Sequence, residues 1–174
     1  MRIHKTLRNL LAVAVLALGA VMGCTSIDCP LDNAVSMTCN IYSLETEGVL
    51  KLTDTLTVRA KGSDSILLNR GIGIDNFELP LRYREGTDTL LFRFSNDLGQ
   101  WAVDTLFVTH TAQAHFESED CPIAFFHKIG DVNWTIHPLA DMPLTIGNVI
   151  IKRERVDYEN QENLRIFLRT TTVE

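Results

Sequence analysis

The sequence predicts an all-β fold, and three observations support this. Most of the chain after residue 33 alternates apolar and polar side chains with a period of two, which is typical of half-buried strands. Turn-forming residues separate these runs at intervals of about ten residues. The one sustained apolar run that suits a helix lies near the N-terminus, at 10–22. These features predict a single immunoglobulin-like β-sandwich of about seven to nine antiparallel strands, with a small barrel as the alternative.

The predicted strands follow one another along the chain, and most of them place every second residue on one apolar face. In the first, Val35, Met37, Cys39 and Ile41 form that face. Turn residues at 61–63 and 96–99 separate neighbouring strands. The predicted strands cover 35–41, 52–60, 65–69, 88–94, 101–109 and 164–169.

The first 23 residues predict a lipoprotein signal peptide. They begin with three basic residues and no acid, continue with an apolar run too short for the roughly twenty residues of a membrane span, and end at Gly23. A small residue directly before Cys24 suits signal peptidase II, which would leave a diacylglycerol on that thiol. An ordinary signal peptide and a membrane anchor are the alternatives. The predicted organisation is a leader at 1–23, a lipidated tether at 24–33 and a sandwich at 34–174.

The predicted mature chain is acidic. Removing the leader leaves 13 basic against 22 acidic residues, a net charge near −9. Such a chain lacks the basic surface that nucleic acids require, so we exclude nucleic-acid partners. An acidic chain also lacks the basic surface that would hold it on an anionic membrane, so its attachment must come from its acyl chains. Two or more acyl chains suffice for stable anchoring.

Three cysteines remain once Cys24 is assigned to lipid. An exported chain can hold a disulfide, so one pair and one free thiol are expected. Cys39 lies on the apolar face of the first predicted strand, where cysteine behaves as a small hydrophobic residue. Cys29 and Cys121 each stand in an Asp-Cys-Pro sequence outside any alternating run. We therefore predict a disulfide between Cys29 and Cys121.

Two segments carry a resemblance to a known family. Residues 24–31 read Cys-Thr-Ser-Ile-Asp-Cys-Pro-Leu, and residues 116–122 read Phe-Glu-Ser-Glu-Asp-Cys-Pro, followed by Phe-Phe-His at 125–127. With Asp-Thr-Leu strand starts between them, the chain resembles small Bacteroidetes lipoproteins classed as a domain family of unknown function. The resemblance implies an envelope lipoprotein, supports the predicted disulfide and implies no catalytic residues. The non-acidic residues 25–27 favour the periplasmic side of the outer membrane.

A short pattern, Asp followed by Ser or Thr and an aliphatic residue, occurs four times where composition predicts about one. It resembles the O-glycosylation acceptor of exported Bacteroidetes proteins. The alternative is structural, because Asp can close a turn and a β-branched Thr can begin a strand. The candidate acceptors are Thr55, Ser65, Thr89 and Thr105.

Histidines and carboxylates cluster after the strand at 101–109. His110, His115, Glu117 and His127 are weak candidates for a metal site, since these are the side chains that bind zinc. Their spacing matches no closed metal motif, so we expect a polar connection carrying scattered histidines. We predict neither a cofactor nor a catalytic residue.

These observations predict a non-catalytic, lipid-anchored envelope protein that works as a structural or protein-interaction module. Its expected partners are the membrane, through lipid, and an envelope protein. The first alternative is a lipoprotein that binds a glycan or small ligand. A metal-dependent enzyme built on the histidine cluster is the second.

Overall fold

The computed structural model describes Cys29 and residues 35–170 of the 174-residue chain. The predicted leader, the predicted lipid site Cys24 and the predicted tether, apart from Cys29, lie outside the described residues. The chain divides into two compact units, Met1–Leu31 and Asp32–Glu174. The second unit holds the fold that follows.

The described residues form strands and no helices, and they include no helix long and apolar enough to cross a membrane. The strands are β1 (Ser36–Ser43), β2 (Thr55–Ala60), β3 (Ile66–Gly71), β4 (Asn76–Pro80), β5 (Thr87–Ser95), β6 (Trp101–His115), β7 (Ala124–Trp134), β8 (Leu144–Ile151), β9 (Arg155–Val156) and β10 (Glu162–Thr170).

The strands form two sheets. The four-stranded sheet has the order β4-β1-β10-β8, and the six-stranded sheet has the order β3-β2-β5-β6-β7-β9. All neighbouring strands are antiparallel except β1 and β10, which pair in parallel with Cys39 opposite Leu164. This corrects the expectation of a purely antiparallel sandwich. Because no hairpin joins the first and last strands, no tight turn imposes an antiparallel direction on them.

One hydrophobic core is shared by the two sheets. Phe77 of β4 contacts Phe92 of β5 across it, with ring centroids 6.0 Å apart. The predicted apolar faces are buried, which confirms the all-β fold and the burial of Cys39. Buried residues that the period-two pattern predicted include Met37, Cys39, Ile41, Leu56, Val58, Leu90, Phe92, Phe94, Leu164, Ile166 and Leu168.

The β6–β7 hairpin differs most from the sequence prediction. The strand predicted at 101–109 continues to His115, and the segment predicted as a polar connection contains β7. A β-bulge places Thr109 opposite Asp131 but His110 opposite Ile129, so Gly130 is the extra residue. The bulge reverses the alternation of β7: His127 and Ile129 are buried before it and Val132 after it. A strict period of two therefore misses this strand.

Candidate functional site

The six-stranded sheet carries charged and polar side chains on its inner, core-facing side. Asp88 of β5, Asp104 and His110 of β6 and His127 of β7 are each at most 4% exposed. They occupy strand positions that otherwise hold core residues such as Leu90. Burying such groups costs several kcal/mol unless they are hydrogen-bonded, so their partners decide what they do.

Three of these side chains, Asp88, His110 and His127, form a chain of contacts with Arg82 that we call the histidine relay. Asp88 Oδ2 lies 2.9 Å from His110 Nε2 and accepts the backbone N–H of Arg82 at 2.9 Å. Its other oxygen accepts a hydrogen bond from Arg82 Nε. His110 Nδ1 lies 3.1 Å from His127 Nδ1. The relay thus runs from a half-buried guanidinium to a buried imidazole.

The protonation of the relay follows from its hydrogen bonds. Burial acts to raise the pKa of Asp88, but hydrogen bonds from His110 and Arg82 outweigh it and hold that pKa below its ordinary value. An ionised carboxylate only accepts, so His110 donates from Nε2 to Asp88. At the contact between His110 Nδ1 and His127 Nδ1, one nitrogen donates and the other accepts, since two N–H groups cannot bond to each other.

His127 is neutral near pH 7. Burial, followed by the charge of nearby His110, lowers the pKa of His127 from 6.5 to about 4, while Asp88 opposes the shift. A neutral imidazole carries one ring proton, so one of its nitrogens donates a hydrogen bond and the other accepts. It is also a weak base, since a group that titrates near pH 4 holds few protons at neutral pH.

A second network, which we call the aspartate clamp, surrounds Asp104 and joins the sheets. The Asp104 carboxylate in β6 accepts hydrogen bonds from Thr145 Oγ1 at 2.9 Å and from the Ile146 N–H at 2.8 Å, both in β8. Its other oxygen lies 2.8 Å from His137 Nδ1, and His137 Nε2 lies 3.1 Å from the Met142 carbonyl oxygen. The clamp is a cross-sheet structural contact, because all its polar groups bond to one another.

The predicted metal candidates separate into two places. His110 and His127 meet in the relay, whereas His115 Nε2 contacts Glu117 Oε1 at 2.9 Å in a half-exposed position. Within residues 35–170 no group of three or more His, Cys, Asp or Glu side chains is arranged to hold a metal ion. The prediction of a polar connection with scattered histidines is wrong for His110 and His127, which lie inside strands because the hairpin extends past Thr109. One further step of the alternation through Leu106 and Val108 would have placed His110 in the core.

The four Asp-Ser/Thr-aliphatic triplets occupy different environments. Asp88 and Asp104 belong to two of them and lie buried within strands, so the turn-closing alternative is wrong for these copies. Their hydroxyl-bearing residues differ in solvent exposure: Ser65 is exposed, whereas Thr55, Thr89 and Thr105 are half-buried. Access therefore favours Ser65 as an acceptor.

The cysteines divide into two kinds. Cys29 and Cys121 are each disulfide-bonded, which is consistent with the predicted disulfide. Cys39 is a free thiol buried in β1, and burial raises its pKa well above the ordinary value. A thiol held protonated in this way is a poor nucleophile and metal ligand.

Two cavities adjoin the ends of the relay. The larger, about 540 Å³, is bordered by β6, β7 and β9, and His127 forms part of its wall. The smaller, about 140 Å³, is lined in part by Arg82 and Asp88. Of these two cavities, the larger has room for an organic ligand.

The model of a family described as a family of unknown function, DUF6452, matches residues 55–168. The chain belongs to DUF6452. The expectation of a domain family of unknown function is thereby confirmed. The DUF6452 region begins at the first residue of β2 and ends within β10, so it contains every residue of the relay and the clamp.

Neither the comparison with curated proteins nor the comparison with solved structures found a match.

Proposed function

We propose that this chain is a bacterial envelope lipoprotein, anchored to the outer membrane through lipid on Cys24 and facing the periplasm. Its immunoglobulin-like sandwich serves as a non-catalytic module that binds another envelope protein. The signal-peptide pattern at 1–23 and the resemblance to Bacteroidetes lipoproteins support the location. The two-sheet architecture supports the comparison with immunoglobulin-like domains.

The binding proposal rests on the side chains at the solvent-exposed side of the six-stranded sheet. Trp101 is 56% exposed and Val103 is 38% exposed. The Arg93 guanidinium lies 4.7 Å from the centroid of the Trp101 ring. Tryptophan and arginine are the residue types most enriched at energetic centres of protein interfaces.

We call this surface the Trp101 face. It surrounds a depression of about 200 Å³ and continues across β2, β5 and β6. Two arginines make it locally basic on a chain whose predicted mature form has a net charge near −9. The face therefore suits a partner whose surface combines apolar and acidic side chains. Its residues are Thr57, Arg59, Leu91, Arg93, Trp101 and Val103.

Substituting Trp101 by alanine should release the partner. Truncation of an interface tryptophan typically costs about 2 kcal/mol or more, which is a loss of affinity of about 30-fold. The test is affinity purification of the full-length lipoprotein from detergent-solubilised envelopes, with quantitative mass spectrometry of the co-purifying proteins. The parent should recover one partner at near-stoichiometric yield and Trp101→Ala should lose it.

The matched control is Leu98→Ala, which removes an 85% exposed side chain from the loop next to β6. This variant should retain the partner. Equal recovery of the partner by the parent and by a Trp101→Ala, Arg93→Ala double variant would contradict binding through the Trp101 face.

Ser65 is our proposed O-glycosylation site. It is exposed directly before β3, and its backbone N–H donates a hydrogen bond to Ser63 Oγ. The intact mass of protein purified from its native envelope should exceed the lipidated polypeptide mass by one glycan, and Ser65→Ala should remove that increment. Thr89→Ala is the control and should keep it. An unchanged mass in Ser65→Ala would refute the assignment.

A second candidate function is the binding of a glycan or small ligand. The 540 Å³ cavity beside His127 favours it, because binding sites for small molecules usually measure about 300–1,000 Å³. This cavity shares no lining residue with the Trp101 face.

A further inference from the structure

The β6–β7 hairpin extends beyond the part of the core that covers its inner side. Ala112 and Ala114 lie on the same side of β6 as the buried His110, because side chains alternate along a strand, yet both alanines are exposed. Phe125 of β7, which is paired with Ala114, is half-buried. The core-facing side of the hairpin therefore continues past the core as an apolar surface.

Three large apolar side chains lie exposed at the same end of the domain. Phe116 directly follows β6 and is 65% exposed, and Ile123 directly precedes β7 and is 49% exposed. Tyr83, in the loop between β4 and β5, is 48% exposed and stacks on Phe125 with ring centroids 4.3 Å apart. Exposed apolar patches of this kind mark contact sites for another molecule. We call this surface the hairpin end, and its residues are Tyr83, Ala112, Ala114, Phe116, Ile123 and Phe125.

The lipid anchor proposed on Cys24 is connected to this end of the domain. Cys121 lies in the loop between β6 and β7 and is disulfide-bonded, as is Cys29, its predicted partner. Five residue steps separate Cys24 from Cys29, which limits the chain between them to about 18 Å. The predicted disulfide and the short tether therefore keep the hairpin end close to the bilayer that holds the acyl chains.

The side chains of the hairpin end suit the boundary between acyl chains and headgroups. Tyrosine is enriched at that level of a membrane, because its ring is apolar and its hydroxyl group stays hydrated. The exposed Arg84 guanidinium lies 5.3 Å from the centroid of the Tyr83 ring, where it can meet a lipid phosphate. The β6–β7 loop also carries Glu117, Glu119 and Asp120. Their negative charge favours a zwitterionic lipid surface over an anionic one.

We propose that the hairpin end rests on the surface of a zwitterionic phospholipid bilayer, with Phe116, Ile123 and Tyr83 inserted among the headgroups. The inference rests on the lipid anchor of the proposed function and goes beyond it, because it orients the domain. Trp101 begins β6, about 45 Å from the last residue of that strand. The Trp101 face is thereby held away from the membrane, where a partner can reach it.

The test is tryptophan fluorescence of the lipidated protein in phosphatidylcholine vesicles whose acyl chains carry bromine, a short-range quencher. Phe116→Trp places a reporter at the hairpin end. Leu98→Trp is the matched control, because Leu98 is 85% exposed in the turn before the other end of β6. The parent gives the baseline of the two native tryptophans. The fraction of emission lost to bromine should be at least about two-fold larger in Phe116→Trp than in Leu98→Trp.

Tyr83→Trp is a second reporter, on a different segment of the hairpin end, and it should be quenched as strongly as Phe116→Trp. Both substituted side chains are exposed, and circular dichroism checks that the variants fold. If neither reporter is quenched more than Leu98→Trp, the lipid contact is wrong. That result includes the case in which a second copy or another protein covers the hairpin end.

The intact mass of the purified protein separates a failure of this inference from a failure of the proposed anchor. Acyl mass without excess quenching at the hairpin end would overturn the orientation and leave the anchor in place. A chain without acyl mass would refute the anchor, and the orientation with it. Partner capture by Phe116→Trp should equal that of the parent, so binding at the Trp101 face is tested separately.

Discussion

Replacement of Asp104 by alanine is expected to lower the free energy of unfolding by about 2–4 kcal/mol, because it leaves several buried hydrogen-bond donors without an acceptor. The carboxylate accepts hydrogen bonds from Thr145 Oγ1 and the Ile146 N–H, and it faces His137 Nδ1. Alanine leaves all these groups without an acceptor, and unsatisfied buried donors lose their full hydration energy. Since the clamp joins β6 to β8, the loss also loosens one sheet from the other.

Urea unfolding at pH 7, followed by circular dichroism, measures this effect. Asp104→Asn is the informative intermediate, because its amide oxygen can still accept from β8 while its NH₂ group meets His137. We expect Asn to be less destabilising than Ala. Asp97→Ala, in the exposed turn before β6, should stay within about 0.5 kcal/mol of the parent. A loss below 1 kcal/mol in Asp104→Ala would show that the clamp contributes little.

Stability should fall by up to about 3 kcal/mol as the pH is lowered from 7 to 4, because of His127. The folded pKa of His127 is about 4 and the ordinary value is 6.5, so the unfolded chain binds this proton first across that interval. Proton binding by the unfolded chain favours unfolding. The contribution of His127 is present above pH 6.5 and lost as the pH falls toward 4.

Asp88 acts in the same direction at lower pH. Its folded pKa lies below the ordinary value of 3.8, so its contribution is lost as the pH falls further, through the folded pKa. Protonation of Asp88 also removes the acceptor that fixes the tautomer of His110. The relay is therefore expected to make the domain acid-sensitive in two successive steps.

Urea midpoints at pH 7, 5.5 and 4 test the first step. His127→Gln should flatten the dependence by about 1 kcal/mol per pH unit within this interval, since the titrating group is gone. His115→Gln is the control: this residue is half-exposed and outside the relay, and its substitution should leave the slope intact. A parent whose stability is constant from pH 7 to 4 would contradict the assignment to His127.

Alternation along the sequence predicted the local features of the fold. The faces that carry Met37, Cys39 and Ile41 in β1, and Leu90, Phe92 and Phe94 in β5, are buried as predicted. The prediction succeeds because successive residues of a strand lie on opposite faces. A face that is buried in the fold is therefore visible in the sequence as an alternation of apolar and polar residues.

Alternation does not predict the strands β4, β7 and β8. β4 is five residues long, β7 contains the bulge at Gly130, and β8 buries three successive residues, Leu144 to Ile146. β4 alternates cleanly but only over five residues, whereas β7 and β8 interrupt the period of two. A bulge or a doubly buried stretch changes the alternation without leaving a distinct signal in composition.

The sequence by itself determined the β-class, the buried faces and the residue types available for chemistry, because these depend on neighbours along the chain. Only the tertiary structure decided which of those residues meet. Asp104 and Thr145 are 41 positions apart, and His110 and His127 are 17 apart on facing strands. Their contacts depend on strand register and sheet order, which are set by packing of the whole core. The same packing placed His127, a weak metal candidate in the sequence, against His110 inside the core.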